Sequence, residues 1–187
     1  MTNKLPAAFG AVLAFTLAAS SAQAEVRKLM KLGPGTLTPH FELVLTPPKD
    51  WIEEKEASKK NGVQIMVPRG RHFGNAPALM YVKVSNRRDK QSLDDFVDNS
   101  QKRWREQVSD TKIEKLADVQ RASGQPAFVS YRYENPSRPQ QRFEAVSFGI
   151  DKDNDGNEFF VMVALTGRDK KAIDQGMTPY NAFLKTH

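Results

Sequence analysis

Short apolar runs with the two-residue period of a β-strand recur from His40 to the end of the chain, and a helical period appears between them. That order constrains the fold more than any other feature. Ala127, Val129, Tyr131 and Tyr133 alternate with Ser130, Arg132 and Glu134, and Val146, Phe148 and Ile150 alternate with Ser147 and Gly149. Alternation of this kind puts the apolar side chains on one face of a sheet. Residues 159–165 are apolar in both phases, as in a central strand covered on both faces. Earlier runs cover 41–45, ending at Pro47-Pro48; 63–67, ending at Pro68; and 78–84. Residues 112–119 are a weaker candidate.

The helical stretch opens at Ser92, a good N-cap, with Asp95 three residues later to complete a capping box. Leu93, Phe96, Val97, Ser100, Trp104 and Val108 follow at helical spacing, while Asp94, Asp98, Lys102, Arg103 and Arg105 form a solvated face. Trp51 and Trp104 read as core anchors. The last segment turns Tyr180, Phe183 and Leu184 inward, and reads as broken at Gly176 and restarted at Thr178-Pro179, a cap followed by proline at the first helical position. These elements predict an α+β fold: a largely antiparallel six- to seven-stranded sheet packed with two main helices, an α/β/α-type sandwich.

Ahead of this domain the chain divides twice. Residues 1–24 have the form of a cleavable signal peptide, with Lys4 as a short positive region, an apolar stretch over 5–19, and Ala22-Gln23-Ala24 before Glu25. The apolar stretch is shorter than the roughly 20 residues that span a bilayer. Cysteine is absent throughout, so no lipid-anchoring cysteine follows the cleavage site. The expected destination is the periplasm, with secretion beyond it as the alternative, and no transmembrane span is expected in the mature chain. Residues 25–40 contain Gly33-Pro34-Gly35 and Thr38-Pro39, and read as an irregular arm leading into a single domain at 41–187.

The composition excludes several chemistries. Without cysteine there is no thiol nucleophile, thiolate metal site or disulfide. No Gly-x-Ser-x-Gly elbow, His-Glu-x-x-His pair or phosphate-binding glycine loop occurs. The three histidines are His40, His72 and His187, far apart in sequence. The formal charge is +6, of which Lys4 supplies one, and the cations are scattered as pairs such as Lys59-Lys60 and Arg87-Arg88 with acids between them. Such a surface lacks the dense basic stripe with aromatics that nucleic acid requires. Anionic envelope material or an envelope protein is the partner it suits.

Two loops stand out. Arg69, Arg71, His72 and Phe73 fall in a glycine-flanked connection between two strands, where recognition residues commonly sit, and form the candidate binding loop. Asp151, Asp153, Asp155 and Asn157, with Gly156 at the sixth position, match the opening of a calcium loop. Position twelve, where a bidentate glutamate belongs, is Met162, and both flanks read as strands. The alternative for this segment is a hairpin connection built on Asp155-Gly156. A weak Ca²⁺ site is thus the one cofactor expectation.

An extended strand running into Pro48-x-x-Trp51, two strands, a helix opened by Ser92-Leu93, further strands led in by Gly124-Gln125-Pro126-Ala127, and a final helix with Tyr180 and Phe183 resemble the PsbP/Mog1-like fold over roughly residues 40–187. The resemblance implies a binding or accessory module and carries over no catalytic residue. A non-enzymatic periplasmic binding or accessory protein of the envelope is therefore expected. The alternatives are an immunity or adaptor protein for an exported toxin, and a hydrolase using carboxylates.

Overall fold

All the strand-like runs but the first, at 41–45, pair into one sheet. The computed structural model describes residues 25–32, 37–87, 91–122, 124–153 and 155–187. Seven strands, β3 (Trp51–Glu53), β4 (Gln64–Pro68), β5 (Ala78–Asn86), β6 (Lys112–Lys115), β7 (Val129–Glu134), β8 (Phe143–Lys152) and β9 (Glu158–Gly167), lie in the order β3-β4-β5-β9-β8-β7-β6. Every neighbouring pair is antiparallel. The doubly apolar β9 is the middle strand, as its composition requires.

Each face of the sheet carries one long helix. Helix α3 (Lys170–Thr186) presses Ile173, Tyr180, Phe183 and Leu184 onto Met80, Val82, Val161, Val163 and Leu165. Helix α2 (Leu93–Gln107) packs Val97, Phe96 and Trp104 against Tyr133, Val146 and Phe148 on the other face. Phe96 stacks on Phe160, with ring centroids 4.1 Å apart. The expected α+β sandwich is what the chain forms. The Ser92 cap also forms: its hydroxyl accepts from the Asp95 backbone N–H at 3.1 Å and donates to the Asp95 carboxylate at 2.6 Å.

Three local features depart from or add to the sequence reading. The segment read as an irregular arm contains β1 (Glu25–Leu32) and β2 (Leu37–Val44), an antiparallel pair in register from Glu25↔Val44 to Leu32↔Leu37. The Gly-Pro-Gly signal belongs to the residues between those strands, which lie outside the described ones, as does the leader at 1–24. Pro39 is tolerated because β2 pairs with β1 alone. From β2 the chain is fastened to the sheet by Gln64, whose amide exchanges two hydrogen bonds with the backbone of Leu45, at 3.1 and 2.7 Å.

Second, a short helix, α1 (Lys55–Asn61), precedes β4. It buries only Ala57 and Ser58, too little apolar surface to leave a period in the sequence.

Third, α3 is unbroken. Gly176 is buried, and a Cβ built there would lie 2.9 Å from both Cδ atoms of Leu165. The glycine therefore serves close approach of helix to sheet, not termination. Pro179 sits inside the helix, which the buried residues on either side hold in place. Gly176→Ala gains about 1 kcal/mol of helix propensity. Overpacking against fully buried Leu165 costs about 1–3 kcal/mol and wins. A net loss of about 1 kcal/mol is expected in urea unfolding.

Candidate functional site

The two faces are not equally covered. Helix α2 lies over the β8 side of its face, and a cleft of about 580 Å³ opens beside it over β4, β5 and the end of β9. Its floor is apolar, built from Ile65, Leu79 and Tyr81, because these residues occupy the strand phase opposite to the α3 core. One wall is the connection from β4 to β5, which contributes Phe73, Ala76 and Pro77. Phe73 is 45% exposed, the one large apolar side chain so placed among the described residues. Arg168 closes the end of β9. A second hollow of about 390 Å³ runs along α2 past Phe96, Arg103 and Trp104, and Tyr81 lines both.

Beneath the junction lies a carboxyl group. Glu144 shares its strand face with Val146 and Phe148 but is only 1% exposed. The Tyr81 hydroxyl donates to one of its oxygens at 3.4 Å, and Asn135 Nδ2 to the other at 3.3 Å. Thr166, its partner across β8 and β9, faces it without closing a hydrogen bond of normal geometry. Asn135 is itself fully buried, and its Oδ1 accepts from Trp104 Nε1 at 3.1 Å and Thr111 Oγ1 at 2.8 Å. Burial dominates the titration of Glu144 and raises its pKa to about 7; the Asn135 and Tyr81 hydrogen bonds and nearby Arg138 pull the other way. The same burial, together with the Glu144 charge, raises the Tyr81 phenol well above its usual range.

The loop candidates are placed differently. Arg69, Arg71 and His72 are exposed on the β4–β5 connection, and of the four residues proposed there only Phe73 lines the cleft. The connection is held by its own bonds: the His72 N–H donates to Asn75 Oδ1 at 2.9 Å, and the Ala76 N–H to the His72 carbonyl at 2.9 Å. Arg168 Nη2 donates to the Gly74 carbonyl at 3.0 Å, tying the wall to the end of β9.

Residues 153–157 join β8 to β9 as a hairpin, the last strand pair being Lys152↔Glu158. Asp153 Oδ1 accepts from the N–H groups of Asp155 and Asn157, at 3.0 and 2.8 Å, and Oδ2 from Asn157 Nδ2 at 2.9 Å. Asp151 instead points into the core, where Arg121 Nη2 meets its Oδ1 at 2.5 Å. Asp155 and Asn157 are exposed. Among the described residues no group of three or more His, Asp or Glu side chains could hold a metal ion. Asp153 thus holds the turn, and Asp151 is held in an ion pair. Millimolar Ca²⁺ is expected to leave the melting temperature where Mg²⁺ or chelator leaves it; a calcium-specific rise would support the metal reading.

Glu144 was the residue to notice in the sequence, being a charged side chain in the apolar phase of a strand otherwise holding Val146 and Phe148. Ile65, Leu79, Thr166 and Arg168 carry no sequence signal as a group, since the sheet order alone brings them together. A scan against protein-family models and a search of curated proteins found no match to this chain.

Proposed function

We propose that this chain is an exported, non-enzymatic binding or accessory protein of the cell envelope, and that the half-covered face of its sheet is the binding surface. The leader-like first 24 residues and the PsbP/Mog1-like order of elements support export and an accessory role. The observation that carries the reading is the apolar cleft over Ile65, Leu79 and Tyr81, with Phe73 standing exposed at its rim. A cleft of about 580 Å³ falls within the range usual for small-ligand sites, and its apolar floor favours burial of an apolar body over polar catalysis. No helix among the described residues is long and apolar enough to cross a membrane.

A hydrolase built on paired carboxylates is the weaker reading. Glu144 is the perturbed carboxyl beside the cleft, and the groups that chiefly set its titration are Asn135, Tyr81, Arg138 and Thr166, with no second acid. An immunity or adaptor role would use the same face to hold a protein.

Native mass spectrometry of the protein recovered from its own envelope separates these readings. The expected spectrum shows a chain beginning at Glu25 with a small-molecule adduct, lost in Leu79→Arg. A bare wild-type chain, or a stoichiometric protein complex that Leu79→Arg leaves intact, would overturn the cleft as the site.

A further inference from the structure

Given that the cleft is a binding site, its charges identify what it takes. Among the described residues lining it, Arg168 alone carries a formal charge; the polar remainder are Asn61, Gln140, Gln141 and Thr166. Arg168 is exposed and makes no ion pair among the described residues; its guanidinium donates to the Gly74 carbonyl through a single N–H. The adjacent acid, Asp169, is committed elsewhere, its Oδ1 capping α3 through the Ala172 N–H at 2.8 Å. Thr166 also lines the cleft, two residues before Arg168, but its buried hydroxyl faces the Glu144 carboxyl. The end of β9 therefore places a cation with no acidic partner among the described residues at the mouth of a hollow otherwise walled by Ile65, Leu79, Tyr81 and Phe73.

The geometry points to a free long-chain carboxylate as the ligand, its acyl chain lying along Ile65, Leu79 and Tyr81 and its carboxylate held by Arg168. The apolar body gains by leaving water, which a polar ligand would not do here. A guanidinium is suited to grip a carboxylate with two parallel N–H groups. A cationic amphiphile meets the wrong sign at Arg168. A phospholipid brings two chains to a hollow with room for one small ligand.

Calorimetric titration of the protein with dodecanoate and with dodecanol, both below the concentration at which they aggregate, tests this. Wild type is expected to bind dodecanoate at least about tenfold more tightly than dodecanol, the difference one charge-assisted bond supplies. Arg168→Glu should abolish that preference, weakening dodecanoate far more than dodecanol, and Arg168→Lys, which keeps the charge, should preserve most of it. Equal affinity for the two ligands, or dodecanoate binding unaffected by Arg168→Glu, would overturn the carboxylate assignment and leave the cleft standing. Binding of neither ligand would overturn both. A dioleoyl phosphatidylglycerol vesicle that retains the protein while free dodecanoate fails to bind would also overturn the assignment, in favour of a membrane headgroup.

Discussion

Glu144→Gln is expected to make the protein more stable at pH 8 and slightly less stable at pH 5. In the folded chain the carboxyl has its pKa raised to about 7, against an ordinary value of 4.5. Between those values the folded state holds a proton that the unfolded state has released. Stability is therefore greatest below pH 4.5, declines as pH rises towards 7, and stays low above it. Ionised at pH 8, the buried carboxylate costs about 3 kcal/mol relative to its protonated form. Glutamine removes that cost, because it is never charged. It also loses something, since Tyr81 and Asn135 both donate to the carboxylate and the amide oxygen replaces only one acceptor. That mismatch costs about 1 kcal/mol at any pH. The expected net effect is a gain of about 2 kcal/mol at pH 8 and a loss of only a few tenths of a kcal/mol at pH 5, because the wild type has by then lost about 0.8 kcal/mol itself. Urea unfolding at the two pH values measures it. If the variant kept the wild-type pH dependence, Glu144 would not be the titrating group.

Arg121→Ala should be more damaging. The guanidinium is fully buried, and three of its nitrogens are used: Nε donates to the His187 carbonyl at 2.6 Å, Nη1 to the Ile150 carbonyl at 3.0 Å and Nη2 to Asp151. It also lies over the Phe128 ring, 4.6 Å from the centroid. One side chain thus fastens the segment before β7 to β8 and to the residue after α3. Truncation leaves Asp151 as a buried charge without its cation. Such a break costs about 3–5 kcal/mol, against typical domain stabilities of about 5–15. The double change Arg121→Met with Asp151→Leu should recover part of the loss, because no charge is then stranded. A loss below about 1 kcal/mol for Arg121→Ala would mean that the pair is solvated in the folded protein.

Strand periodicity carried most of the architecture because one face of the sheet is buried under α3 and much of the other under α2, so the alternation had to be kept. The α2 cap was legible for a similar reason: Ser92 and Asp95 interact locally, and no tertiary contact competes. Elsewhere local and tertiary effects conflict. Gly176 and Pro179 have the local chemistry of a helix break; the helix persists because the buried residues on either side hold it to the sheet, and the glycine is there for its close approach to Leu165. The β1–β2 pair carries charges at Arg27, Lys28, Lys31 and Glu42, with Gly33, Pro34, Gly35 and Pro39 in or beside it, which hide the strand pattern.

The site was less legible than the fold. The exposed loop at 69–73 drew notice through its composition, yet only Phe73 reaches the cleft. The cleft exists because α2 covers part of its face, and how far a helix extends across a sheet is settled by packing, which leaves no periodic signal. Asp151 belonged by spacing to a metal loop; its real partner, Arg121, lies thirty positions away in sequence.

The central claim is that the half-covered sheet face is where this protein binds its ligand. Methyl NMR reads that face directly, on protein labelled at isoleucine, leucine and valine and titrated with dodecanoate and dodecanol. The expected result is saturable shifts at Ile65, Leu79 and Val63 with either ligand, while Val163 and Leu165 on the α3 face stay in place. Shifts confined to the α3 face, or none at Ile65 and Leu79 with either ligand, would contradict the account.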